Sequence, residues 1–450
     1  MEIARGFGRL FYIISPNETA VQRVEDIPHP DYINKAIPYF ITLILLEYAV
    51  QVYTNKRRTR LNDGIVSLAH GLYLGCQEFL FRGIEHYVYI KIYEKWRILE
   101  LPWDSPYTWY LAAIGVDFGY YWVHRACHEV NIFWAQHQVH HSSEDYNLTT
   151  ALRQAGFQGW IAWMFYLPLA FFVPSPIFLI HQQFNLLFQF WIHTEVIESL
   201  GPLEWILNTP KHHRIHHGSN RYCLDKNYAG VLIIWDRMFG TFTEEKPGEK
   251  IIYGLVEDVK SFNPFWLQIF YYPKIWTRMK EYDNWKDKIS VMLKGPGWTP
   301  GKGRLGDIND VPEVPTRDVY HIRLQTWKNV YSGLHFVVLL ALFHVLSSNE
   351  LRFNQTTAML VVTFILFSLT SIGFVFEDRQ VGGITEIVRS SAVILYLFLT
   401  PSASSILRQL LFGVYGISIG LWSFQFAWSK PEASSHAHKN GVQSTSKKLD

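Results

Sequence analysis

Long apolar runs separated by short polar stretches set the pattern of this chain. Residues 36–53 carry one charge, Glu47, and lead at once into a basic turn with Lys56, Arg57, Arg58 and Arg60. Residues 64–81 and 107–123 form two further runs. Each is close to the ~20 residues that a helix needs to cross hydrocarbon, where only helices or closed barrels satisfy their own backbone. Residues 157–193 are equally apolar but are interrupted by Pro168, Pro174 and Pro176. Proline blocks one straight helix, so this stretch predicts a hairpin that enters the bilayer and returns to the same side. From 194 to 323 the chain is polar and mixed in charge. Four runs then close it, at about 330–346, 356–376, 387–399 and 406–428.

Composition agrees with membrane spans. Apolar residues make up 49% and aromatics 16%, while charged residues are only 18%, below the quarter usual in soluble proteins. A net charge of +2 gives no reason to expect a nucleic-acid partner. Cys76, Cys127 and Cys223 are scattered and odd in number, so neither a disulfide framework nor a Cys-rich zinc site is expected. No signal peptide is expected in residues 1–36.

The basic turn after the first run is expected to face the cytosol, with the N-terminus lumenal. The opposite loop carries Arg82, Lys91, Lys95 and Arg97, partly matched by Glu85, Glu94 and Glu100. An even number of later runs returns the polar, disordered tail to the cytosol. There Lys447 and Lys448 resemble a dilysine signal for retrieval to the endoplasmic reticulum. Asn17 and Asn354 sit in glycosylation sequons on the lumenal side; the sequon at Asn147 falls on the cytosolic side. A Gly/Pro-rich loop at 295–304 lacks the Ser/Thr and the strand–helix setting of a phosphate loop.

Candidate chemistry lies in three histidine clusters, His124-Arg-Ala-Cys-His128, His137-Gln-Val-His140-His141 and His213-Arg-Ile-His216-His217. With 19 histidines in 450 residues, one HxxHH is expected by chance roughly 0.03 times, and there are two. On a helix, spacings of three and four bring rings to one side. Eight imidazoles exceed the shell of one zinc and suit two metals side by side. Imidazole suits iron, zinc, copper and nickel alike. A bis-histidine haem leaves six rings unexplained, and a zinc protease wants a second histidine after His128-Glu129 that is missing. A metal-binding transporter is the reading outside enzymes; its ions belong nearer mid-bilayer. Cys127 reads as a helix neighbour rather than a ligand.

The boxes HxxxH, HxxHH and HxxHH among membrane spans resemble the membrane fatty-acid hydroxylase (sterol desaturase) superfamily. The stretch from His124 to Arg153 is more closely similar to its alkylglycerol monooxygenase branch, as is the long multi-span C-terminal part. That resemblance implies a di-iron monooxygenase using O2 and tetrahydrobiopterin. It would hydroxylate the ether-linked carbon of an alkylglycerol, and the hemiacetal would break down to a fatty aldehyde and a glycerol derivative. Another lipid hydroxylase or desaturase is the alternative within the superfamily. The chain has no Gly-x-Gly-x-x-Gly after a strand, so an external pterin-recycling reductase is implied. The family's ligand positions fall on the eight box histidines. The resemblance also implies an extra ligand at His193, with Gln189 one turn before it, and a pterin-handling role for Glu129. Asp117 is expected to orient a ring, and Glu144 and Asp145 either to orient rings or to cap a helix; Asp236 is a weaker candidate.

The expected fold class is therefore all-α, a multi-pass membrane bundle with a cytosol-facing, His-rich di-metal cap. The expected division is a lumenal segment 1–35, first spans 36–123, a hydroxylase-like catalytic region 124–250, a cytosolic polar segment 251–323, C-terminal spans 324–428 and a tail 429–450.

Overall fold

The computed structural model describes residues 2–16, 31–55, 59–81, 83–157, 159–348, 353–400 and 405–428. Lys56, Arg57, Arg58, Arg82, Asn17 and the tail with Lys447 and Lys448 lie outside the described residues. Among those described the chain is helical, with two isolated bridges and no strand, so the all-α expectation holds.

The chain divides into two compact units, residues 1–378 and 379–450. In the first, α1 (Glu2–Leu10), α2 (Tyr32–Tyr53), α3 (Leu61–Phe81), α4 (Ile84–Trp96) and α5 (Pro106–Glu129) lead to α6 (Asn131–His141). The proline-broken stretch is a hairpin. In it α7 (Gly159–Tyr166) and α8 (Ser175–Trp191) are joined through a 3-10 turn, Leu167–Phe171. Short helices follow: α9 (Pro210–His216), α10 (Ile234–Phe239), α11 (Pro264–Ile269), α12 (Tyr271–Lys280) and α13 (Trp285–Leu293). The unit ends with α14 (Thr326–Ser348) and α15 (Gln355–Phe376), and the second unit is the pair α16 (Gln380–Leu399) and α17 (Ile406–Trp428).

Among the described residues, five helices are long and apolar enough to cross a membrane: α2, α14, α15, α16 and α17. The runs 64–81 and 107–123 also became long helices, α3 and α5, but these are not among the five. Their inward faces explain the difference. Asn62, Asp63, Ser67 and His70 of α3 are buried, as are Thr108, Asp117, His124 and His128 of α5. The outward face of α5 is the reverse, exposing Tyr107, Tyr110, Leu111, Ile114 and Phe118. Apolar outside and polar inside is the pattern of a helix lodged between lipid and a polar site.

Three apolar clusters hold the first unit around that site. Val66, Ala69 and Tyr73 of α3 pack with Leu339 of α14 and Ile365 and Leu369 of α15. On the opposite side α1 and α2 cover α8 through Leu10, Phe40, Phe184 and Phe190. Val116 and Val123 of α5 pack against Tyr166, Phe178 and Tyr89. In the second unit Glu386 and Arg389, one turn apart on α16, form a fully buried ion pair.

Candidate metal centre

Helix α5 delivers His124 and His128 in its last two turns, and the extended residue Val130 (φ −124°, ψ 114°) then breaks the helix. Lys294 O accepts from Asn131 N (2.8 Å) and Val291 O from the Asn131 amide (2.8 Å), which start α6 in a new direction. Helix α6 carries His137, His140 and His141. The hairpin returns at His193, and α9, opened by Thr209 and Pro210, carries His213 and His216 with His217 as its cap.

All nine rings are buried and converge. They fall into two sets, His124, His128, His137, His141 and His216, and His140, His193, His213 and His217. Within each set the candidate ligand nitrogens lie within 4.8 Å of one another. Donors at about 2.1 Å from one ion stand about 3.0 Å apart when adjacent and about 4.2 Å when opposite, so each set is of ligand-shell size. The sets are neighbours: His141 and His217 stack with centroids 4.4 Å apart.

Backbone carbonyls fix the tautomers of four rings. Nδ1 of His124 donates to Tyr228 O (2.7 Å), His140 to Arg153 O (3.0 Å), His193 to Gln189 O (2.7 Å) and His216 to Lys226 O (2.8 Å). A carbonyl can only accept, so each Nδ1 holds the proton and each Nε2 is a bare lone pair. His140 Nε2 nonetheless faces His193 Nε2 at 3.1 Å, and His193 faces His213 at 3.0 Å. Two lone pairs at that distance repel unless a cation lies between them. A proton does not serve, because burial, with His193 adding to it, pushes the His140 imidazole well below its usual range. Burial does the same to His213, His216 and His217. The Nε2 atoms of His128, His216 and His217 are buried without a hydrogen-bond partner. The donor set fits metal ions.

Two of the four carbonyl anchors come from one turn. Asp225 (φ 56°) and Asn227 (φ 55°) are left-handed and alternate with Lys226 and Tyr228, whose carbonyls receive the rings. Asn227 holds the turn from inside, donating to His212 O (3.1 Å) and Thr243 O (2.9 Å). Asp236 accepts from the N–H groups of Tyr228 and Ala229, both at 2.8 Å. Arg153 is 2% exposed, with its guanidinium on Asp63 (2.7 Å), Ser67 (3.0 Å) and Ser142 (3.0 Å). Glu47, the lone charge of the first run, accepts from Leu148 N (2.8 Å) and Thr194 Oγ1 (2.5 Å), beside His193.

Other residues singled out from the sequence sit around the rings. Gln189 joins neither set: its carbonyl anchors His193 and its amide donates to Asn185 (2.7 Å). Asp117 takes Val231 N, Leu232 N, Trp235 Nε1 and the Asn185 amide, and so fixes the 231–235 segment rather than a ring. Glu144 accepts from Tyr320 N (2.7 Å) and Asp145 from Arg60 Nε (2.9 Å). Glu129 is held by Arg125 (2.8 Å) and by Arg304 (2.8 Å), which comes from the Gly/Pro-rich loop. The three cysteines are free and buried. No sequence signal marked Tyr228, Lys226 or Arg153 as anchors, because they act through main-chain oxygens.

The model of the fatty acid hydroxylase family matches residues 109–241, the span that holds all nine rings. An alkylglycerol monooxygenase of Xenopus tropicalis is 48% identical over 400 residues, 89% of this chain and 88% of that one. That of Homo sapiens is 46% identical over 447 residues, 98% of each. The chain belongs to the alkylglycerol monooxygenase family. As in that family, the region after the site has its own signature, since the alkylglycerol monooxygenase C-terminal domain matches residues 328–410. The Danio rerio alkylglycerol monooxygenase is 47% identical over 397 residues, 87% of this chain and 88% of its own. No solved structure matches. Family and site together make this a lipid monooxygenase, and the five long apolar helices among the described residues suit a multi-pass membrane protein.

Proposed function

We propose that the chain is a di-iron, tetrahydrobiopterin-dependent monooxygenase of alkylglycerols. The observation that carries the reading is the pair of all-histidine sets, side by side and aimed inward, in a family member. Two irons held there would supply the one-electron chemistry and O2 activation that an unactivated C–H bond requires. His124, His128, His137, His141 and His216 would hold one ion, and His140, His193, His213 and His217 the other.

The chain's own work is positional. Carbonyl anchors keep Nε2 of four rings deprotonated and pointed inward, which spares the site reorganisation when it loads. The packed apolar side chains of α5 and α8 exclude water from that side of the rings. Hydroxylation at the ether-linked carbon gives a hemiacetal, which breaks to fatty aldehyde and a glycerol derivative. Glu129, directly after His128 at the rim, would accept hydrogen bonds from pterin N–H groups, with electrons returned by an external reductase. The site would face the cytosol from the endoplasmic reticulum membrane, a reading that rests on the basic turn and the Lys447-Lys448 tail.

Anaerobic mixing with an alkylglycerol and reduced tetrahydrobiopterin, then admission of O2, should release fatty aldehyde with matched pterin oxidation. Aldehyde formed without pterin would favour another hydroxylase or desaturase chemistry. No oxygen uptake would count against the pterin-dependent reaction on alkylglycerols.

A further inference from the structure

The apolar outward stripe of α5 ends in a sequence of side chains with meaning for lipid. Tyr107, Tyr110, Leu111, Ile114 and Phe118 are followed on the same face by Trp122 and then Arg125, whose guanidinium lies 5.5 Å from the Trp122 ring. Tryptophan and then arginine is the order met where a lipid-facing surface leaves hydrocarbon for the headgroups. Helix α10 packs across this end, with Trp235 on Phe118 and Phe239 on Trp122, each at 5.0 Å. The 3-10 turn Gly201–Trp205 lies beside α10, joined by the Leu207–Leu232 bridge and by Arg237 donating to Glu204 O (3.4 Å).

These two short elements bury their acids and expose their apolar residues. Glu204 and Asp236 point inward, while Leu203, Ile206, Trp205 (74% exposed) and Met238 (64% exposed) point out. We propose that α10 and the 201–206 turn form a foot that inserts into the boundary between acyl chains and headgroups of a phospholipid leaflet. Lipid is the occupant because the foot continues the α5 stripe without a break, at the level that Trp122 and Arg125 mark. Arg237, exposed at its edge, suits phosphate.

The foot is wired to the rings. Asp236 of α10 holds the backbone of Tyr228, whose carbonyl anchors His124. Beyond Ile206 the chain runs through Asn208 and Thr209 straight into α9 and its histidines. The depth of the foot therefore sets the depth of the histidine centre relative to the leaflet.

The test needs no turnover, so it is independent of the reaction proposed above. Full-length protein carrying Met238→Cys, and separately Trp205→Cys, is spin-labelled in phosphatidylcholine nanodiscs; Cys76, Cys127 and Cys223 are buried and do not compete. Collision with O2, which concentrates in lipid, is compared with collision with a water-soluble nickel chelate, using Lys250→Cys as the aqueous reference. At 238 and 205 nickel access is expected to fall at least tenfold below that at 250 while O2 access rises. Nickel access equal to that at 250 overturns the foot. Exclusion of both reagents also overturns it, since it means that protein, such as a second copy of this chain, covers the face.

Discussion

Within each HxxHH box, the helical angle decides which rings stand together. In HxxHH the first and third rings, four residues apart, stand about 40° apart around the axis, while the middle ring lies about 60° to the other side. Thus His137 and His141 go to one set and His140 to the other; His213 and His217 go together and His216 crosses over. His213→Ala is therefore expected to lower bound iron from two per chain toward one, by metal analysis, while the five-donor set keeps its ion. Glu129→Ala should raise the pterin concentration needed for half-maximal rate with iron content unchanged; loss of iron would move Glu129 into the ligand shell. Acid acts on the rings directly. His140, His213, His216 and His217 have folded-state pKa values below the ordinary 6.5, so the unfolded chain binds more protons as pH falls. Their neutral form favours folding above pH 6.5, and that stability is lost on acidification, by up to about 1.4 kcal/mol per pH unit per ring. The Tm of the chelator-treated protein should fall from pH 7.5 to 5.5; a flat profile would contradict this.

At the scale of elements, the site is assembled by segments that reach across to one another. Helix α2 supplies Glu47, whose carboxylate ties the segment around Leu148 to Thr194 next to His193. Glu47→Ala leaves a buried amide and a hydroxyl without an acceptor, at about 1–3 kcal/mol each. Lower Tm and iron loss from the four-donor set are expected, while Glu47→Gln, which keeps an acceptor oxygen, should restore much of the iron. Equal iron in all three proteins would show that Glu47 serves the fold alone. The apolar pattern made the hairpin legible, since three prolines in one run leave few alternatives. The polar inward faces of α3 and α5 were less visible, because a run of mean apolar character hides which side each polar residue takes. Asp117 shows the same limit: seven residues before His124 it shares that ring's face, yet its carboxylate serves the 231–235 segment.

For the whole molecule, the orientation proposed above places Asn354 in the lumen and Asn147 in the cytosol. Asn354 is exposed just before α15, whereas Asn147 is buried with Thr149 on its side-chain oxygen (2.6 Å). Expressed with microsomes, the chain should lose mass on glycosidase treatment, and Asn354→Gln but not Asn147→Gln should diminish that shift. Persistence of the full shift in Asn354→Gln would reverse this part of the topology. By itself the sequence determined the helical class, the proline-broken hairpin and the histidines, since hydrophobic periodicity, backbone restriction and metal-ligand spacing are local properties. Tertiary structure alone decided which boxes meet in each set, which carbonyls hold the rings, and that Glu47 and Asp236 brace the centre. Those facts depend on contacts between segments remote along the chain, and a carbonyl is present at every residue, so no residue type announces them.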